Sequence, residues 1–125
     1  MITTITLNPS VDRRYQLPDL VKGTVARSTF DSWTPGGKGL NVSRVAHQLG
    51  EEVNATGFLG GLTGDAIKEK ILKPGILNFF INIYDETRTC LALLTEDGIQ
   101  TEILPVGPQI TSENWKCFLD HLPYL

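Results

Sequence analysis

The stretch Thr34-Pro35-Gly36-Gly37-Lys38-Gly39-Leu40-Asn41-Val42-Ser43-Arg44-Val45-Ala46-His47-Gln48-Leu49-Gly50 constrains this chain more than any other. It reads as a glycine turn opening directly into a helix. Val42, Val45, Ala46 and Leu49 fall at i, i+3, i+4 and i+7, which predicts one apolar face. Gly50 stands where a left-handed C-terminal cap is expected. Gly36, Gly37 and Gly39 leave no Cβ to keep a ligand off the backbone. Amides of such a turn, continued by the free N–H groups of a helix start, suit an anion or a hydroxyl. Lys38 adds a mobile positive charge, so a small, polar, anionic ligand is the natural guest. Glycine pairs ahead of helices also serve as tight turns and nothing more, and the cluster alone leaves both uses open. It is not a P-loop, because the Gly-x-x-x-x-Gly-Lys-Ser/Thr spacing is missing, and Val42 stands where a dinucleotide fingerprint has its third glycine.

With 125 residues, 41% of them hydrophobic and 20% charged, the chain suits one globular domain with a moderate core. A net charge of −3 and the lack of any Lys/Arg run argue against a nucleic-acid partner. No apolar run reaches the length of a membrane span. The start, Met1 to Leu7, lacks the basic and long apolar regions of a signal peptide. Cys90 and Cys117 are too few and too far apart for a disulfide framework or a metal site, so a cytoplasmic protein with reduced thiols is expected.

In chain order, Ile2–Leu7 alternates apolar residues with threonine and predicts a strand. Asn8-Pro9-Ser10 stops it, placing Asp12 just beyond the strand's C-terminal end. Ligands gather at such ends in α/β sheets, which makes Asp12 a candidate contact; an Asx turn or helix cap is its other use. Tyr15–Pro18 and Thr24–Trp33 read as a hairpin around Lys22-Gly23 that leaves the main sheet. Glu52–Phe58 predicts a second strand of that sheet, Gly60–Asp65 a second glycine turn, and Ala66–Lys73 a short helix stopped by Pro74-Gly75. Phe79–Ile83, Thr87–Thr95 and Ile99–Leu104 are extended, the last two joined at Asp97-Gly98. A final helix starts at Ser112, with Trp115, Phe118, Leu119 and Leu122 on one face. The fold class is α/β.

Gly36-Gly37-Lys38-Gly39-Leu40-Asn41-Val42-Ser43, then six residues, Gly50, nine residues and Gly60, resembles the N-terminal signature of the PfkB, or ribokinase-like, sugar kinases at every fixed position. Thr6-Leu7-Asn8-Pro9-Ser10-Val11-Asp12, Glu86-Thr87-Arg88-Thr89-Cys90, and Gln100–Leu104 followed by Gly107-Pro108 are similar to the same family. They resemble its phosphosugar branch, which contains 1-phosphofructokinase and tagatose-6-phosphate kinase. The resemblance runs from Met1 to about Leu122.

It implies the N-terminal part of a ribokinase-like fold: a parallel-rich central sheet flanked by helices, with a small β-sheet lid near residues 13–33 and 87–104. Asp12 resembles the acid that accepts hydrogen bonds from sugar hydroxyls. Gly37, Lys38 and Asn41 resemble the loop that closes on the sugar and its phosphate. Arg88 resembles the lid arginine that holds the phosphate; the alternative is a solvated strand charge. His47 is expected to be packed or at the surface, and both cysteines to be ordinary thiols. The family's catalytic aspartate lies in a Gly-Ala-Gly-Asp turn of a C-terminal half, beside the ATP pocket. These residues lack that turn, and Gly64-Asp65 does not replace it. The expectation is therefore the sugar-binding half of a ketohexose-phosphate kinase, most closely one acting on tagatose 6-phosphate. The complete enzyme would use ATP and Mg2+, while this chain alone would bind neither and would be inactive. The alternatives are a 1- or 6-phosphofructokinase, or a non-catalytic sugar-phosphate-binding or dimerisation module. The expected partners are a sugar phosphate and a second copy, through the lid or an exposed sheet edge, with no nucleic acid or membrane.

Overall fold

The computed structural model describes residues 1–125. A parallel sheet is formed by β1 (Ile2–Thr6), β4 (Val53–Gly60) and β5 (Leu77–Ile83), in the order β1-β4-β5. All eight residues of β4 are buried, as befits the central strand of a parallel sheet covered on both faces. Helices α1 (Lys38–Gln48) and α2 (Gly61–Leu72) make the two crossovers, and α3 (Ser112–His121) follows later in the chain. One core cluster joins Leu40 of α1 and Ile67 and Ile71 of α2 to Ala55, Leu59 and Phe80 of the sheet. A smaller one joins Phe118 of α3 to Phe58, Ile81 and Ile83. No helix is long and apolar enough to cross a membrane.

A second sheet has the order β3-β2-β6-β7, from β2 (Ser10–Leu17), β3 (Phe30–Gly36), β6 (Arg88–Thr95) and β7 (Gln100–Ile103). Its outer pairs are antiparallel, whereas β2 and β6 run parallel. Gly98, at φ 83°, makes the expected β6–β7 turn, where Asp97 accepts hydrogen bonds from Thr95 Oγ1 and Ile99 N. Lys70 locks this sheet onto the first layer. Its ammonium lies 3.8 Å from the centre of the Trp33 ring and donates to the Trp33 carbonyl at 2.6 Å.

Four local expectations change. The hairpin strands are Ser10–Leu17 and Phe30–Gly36 rather than Tyr15–Pro18 and Thr24–Trp33. Ser10 begins a strand because β6 lies beside it as a long-range partner. Asp12 therefore sits inside β2, not at the end of β1. Thr34-Pro35-Gly36 closes β3, so the turn shrinks to Gly37, at φ 109°. Gly61–Asp65 is wound into α2 rather than forming a turn ahead of it.

The largest difference concerns the apolar face of α1. Val42, Val45 and Leu49 are 54%, 56% and 79% exposed, while Leu40 and Ser43 are buried. Small residues decide the contact. Gly39 lies so close to Ile5 O and Thr6 Oγ1 that a Cβ would clash there. One turn on, Ser43 Oγ lies 2.5 Å from Thr4 Oγ1 beneath it and donates back to Gly39 O. The helix thus rests on β1 through Gly39 and Ser43, leaving the valine stripe outside. Gly50 keeps its expected place past the helix, at φ 92°. His47 packs between elements, Nε2 lying 2.8 Å from Pro74 O.

Candidate functional site

The connections between the two sheets bring the predicted residues to one end of β1. Ser10 pairs in register with Gly36 on β3 and with Arg88 on β6. Two residues on, Asp12 pairs with Thr34 and Cys90. Side chains two apart share a face, so Ser10, Asp12, Arg88 and Cys90 stand together. Asp12 and Cys90 of this group line a cavity of about 310 Å³, with Arg14, Thr34, Gln100 and Glu102, while Ser10 and Arg88 lie outside its wall. That volume is at the lower end of the size range for small-ligand sites.

Two neighbours hold Asp12. Ser10 Oγ donates to its Oδ1 at 2.5 Å, and the carboxylate lies across the space that a Cβ on Gly36 would fill. Gly36 is not at positive φ, so its glycine is required by Asp12 rather than by the turn. Gly36→Ala should leave the fold intact and swing Asp12 away. A crystal structure of the variant should show the rotated carboxylate, and hexose-phosphate affinity should fall about tenfold or more. An unmoved Asp12 would refute this.

The N-terminus of α1 adjoins this carboxylate. Gly37 is its N-cap and offers no side-chain cap, and no acidic residue lies in the first turn. The first intrahelical bond runs from Asn41 N to Gly37 O, so the amides before it have no helical partner. Lys38 is exposed and in no ion pair. Thr6 Oγ1, beneath Gly39, is buried without a partner. The other helix starts are closed. Thr111 and Asn114 form a capping box on α3, and Thr63 N of α2 donates to Glu86 Oε1 at 2.7 Å. Only α1 keeps its positive end open, with a free lysine on it, and that combination suits an anion.

Arg88 is half-buried and is not a solvated strand charge. Nη1 donates to Pro105 O at 3.1 Å and Nη2 to Asn8 O at 3.2 Å, while Nε is buried with no acceptor. No carboxylate neutralises it. Its neighbours staple the β6 start to the first sheet: Gly60 N donates to Thr87 Oγ1 at 2.9 Å and Thr87 N to Gly60 O at 3.0 Å. The Thr63 hydroxyl, then the Thr63 amide, hold the Glu86 carboxyl below the usual glutamate range. A lowered carboxyl stabilises the fold fully above its unfolded value and loses that contribution as pH falls through the folded one. Taking the wild type from about pH 5 to about pH 3 should therefore lower its melting temperature more than it lowers that of Glu86→Gln. Equal drops would remove Glu86 as the cap of α2.

The pfkB family carbohydrate kinase model matches residues 3–125. The chain belongs to that family. A candidate phosphofructokinase from Staphylococcus aureus superimposes with a TM-score of 0.91 at 37% identity, covering 100% of this chain and 40% of that one. Phosphofructokinase-2 from Escherichia coli, in complex with fructose-6-phosphate, gives 0.92 at 26% identity, covering 99% and 41%. A candidate 1-phosphofructokinase from Thermotoga maritima gives 0.87 at 32% identity, covering 95% and 39%. This pfkB chain thus has the ribokinase-like fold of an N-terminal portion and spans about 40% of the length of those proteins.

Within this kinase portion, Asp12 on β2 lies against Gly36 at the end of β3, and Gly37, Lys38 and Asn41 follow at the start of α1. Arg88 pairs in register with Ser10. Of these residues only Asp12 lines the cavity, and Asn41 borders a shallow groove with Val42 and Val45. Kinase chemistry implies ATP and Mg2+ for a complete enzyme of this family. No three His, Cys, Asp or Glu side chains are grouped to hold a metal ion. At the start of α2 the Glu86 carboxylate lies against Gly61 and accepts from Thr63 N. The sequence pattern marks Gly36 only as one of the glycines open to a ligand, and gives Ser10 no role of its own. The alternation of Ser10 with Asp12 was the available signal, visible only once β2 was known to start at Ser10.

Proposed function

We propose that this chain is the sugar-phosphate-binding portion of an ATP-dependent ketohexose-phosphate kinase, with tagatose 6-phosphate the preferred substrate, phosphorylated at O1. The open, lysine-bearing start of α1 beside a pre-set Asp12 carries this reading. Asp12 accepts hydrogen bonds from sugar hydroxyls. Gly37, Lys38 and Asn41 close on the sugar, and Lys38 and Arg88 offset the phosphate dianion through charge-assisted hydrogen bonds. Glu86-Thr87-Arg88-Thr89-Cys90 and Gln100–Leu104 support the tagatose branch. A fructose phosphate is the second reading, supported by the likeness to Escherichia coli phosphofructokinase-2 bound to fructose-6-phosphate.

The second sheet acts as the lid over the sugar. Copies associate through it or through the unpaired edge of β1, beside which the valine stripe of α1 lies exposed. The catalytic aspartate and nucleotide pocket belong to the rest of the fold, and these 125 residues alone turn over no ATP. Calorimetric titration with tagatose 6-phosphate, fructose 6-phosphate and fructose 1-phosphate in competition tests the reading. Tagatose 6-phosphate should bind tightest and perturb Lys38 and Asn41 amide resonances. Failure of all three to bind would overturn it.

A further inference from the structure

Arg44 stands three residues after Asn41 on α1 and belongs to none of the ion pairs, which are Arg13–Asp31, Lys73–Glu69 and Lys116–Asp120. Its Nη2 donates instead to Asn41 Oδ1 at 2.7 Å, and its Nε is buried with no acceptor. A guanidinium has donors only, so this contact fixes which way the Asn41 amide is turned. Oδ1 faces Arg44, and the Nδ2 hydrogens face away. An asparagine without such a neighbour presents oxygen or nitrogen as its surroundings permit. The Asn41 backbone is also committed, its N–H bonded to Gly37 O at 2.9 Å. What Asn41 can offer a ligand is therefore a pair of N–H donors.

We infer that Arg44 is a positioning residue, which presents Asn41 as an obligate donor and makes this corner of the site read an acceptor oxygen of the ligand. The inference rests on the sugar-phosphate reading for the nature of the ligand, but not for the Arg44–Asn41 contact. It divides the labour around the sugar. Asp12, acceptor only when ionised, reads a donated hydroxyl proton, while Asn41 reads a lone pair. A hydroxyl reaching both would donate to one and accept from the other. A substituent able only to donate would be rejected at Asn41. Reversing the amide would set its carbonyl oxygen against the same lone pair and leave the guanidinium facing an NH2 group.

The test uses the 125-residue chain, with Arg44→Met, Arg44→Lys, Asn41→Ala and the Arg44→Met/Asn41→Ala double variant. Circular dichroism checks each fold, and calorimetry with tagatose 6-phosphate and fructose 6-phosphate reads the site. Arg44→Met should weaken binding about tenfold in the wild-type background and less than about twofold in the Asn41→Ala background, the mark of coupling. Arg44→Lys should recover part of the loss. An Arg44→Met effect of the same size in both backgrounds would overturn the inference, because Arg44 would then act through its charge. So would no effect in either. The Asn41 side-chain amide, followed by 15N NMR without ligand, keeps the two readings apart. Arg44→Met should turn a single ordered amide into an averaged one, and an unchanged amide overturns the Arg44 role. Loss of order on Arg44→Met, with no sugar phosphate bound by the wild type, would sink the proposed function and leave Arg44 as the group that orients Asn41.

Discussion

Arg88→Ala is expected to weaken hexose-phosphate binding by about 2–5 kcal/mol, the range for removing one partner of a desolvated charge pair. The guanidinium is half-buried, has no carboxylate partner, and has an Nε shielded from solvent without an acceptor. A dianion would meet a cation that carbonyl groups orient but do not neutralise. The same two bonds tie β6 to the segments around Asn8 and Pro105, so truncation also loosens those loops. Two controls separate the effects. The unphosphorylated ketohexose should bind the variant and the wild type alike, and Arg88→Lys should restore loop order less well than charge, since an ammonium cannot fork between Asn8 O and Pro105 O. Equal affinity of Arg88→Ala and wild type for the phosphorylated sugar, by calorimetry, would exclude Arg88 from the site.

Phe58→Ala should cost about 3–5 kcal/mol of folding stability. Phe58 is 1% exposed on the central strand and carries the attachment of α3. Its ring meets Trp115 edge-on at 5.2 Å and Phe118 at 5.3 Å, and each aromatic pair adds about 0.5–1.5 kcal/mol beyond the area it buries. Truncation leaves a void that β4 cannot close, because its neighbours on both sides hold it in register. Denaturant melts followed by Trp115 fluorescence should show an earlier midpoint and an α3 that loosens first. Asp12 lies in the second sheet and Lys38 on α1, which packs on the face of β4 opposite to Phe58, so ligand affinity per folded molecule should be unchanged. A loss of less than about 1 kcal/mol would mean that α3 is held by something other than this aromatic cluster.

The strands β1, β4 and β5 and the β6–β7 hairpin were legible because their signals are local: alternation, buried apolar runs, and an Asp-Gly turn. The glycine-to-helix junction was legible for the same reason, since Gly37 needs its positive φ and Gly50 caps the helix whatever surrounds them. The α1 face was misread because periodicity measures where apolar residues lie, not which face a neighbour accepts. Thr4 and Thr6 line β1 beneath the helix, and a sheet surface of hydroxyls takes the side bearing Gly39 and Ser43. The start of β2 was misread because Asn8-Pro9-Ser10 looks like a stop until β6 supplies a partner seventy-eight residues from Ser10.

The same division holds at the site. Residue order alone determined the family, the α/β class, and the candidates Asp12, Gly37, Lys38, Asn41 and Arg88, because a spaced glycine signature with its flanking segments is a property of the chain itself. Tertiary structure decided how those groups are aimed. Gly36 makes room for Asp12, Glu86 shuts one helix start while that of α1 stays open, and Arg44 turns the Asn41 amide outward. The Gly36–Asp12 and Glu86–α2 relations join segments more than twenty residues apart. Even the Arg44–Asn41 pair, close in sequence, needed coordinates, because an i,i+3 spacing permits a hydrogen bond without requiring one.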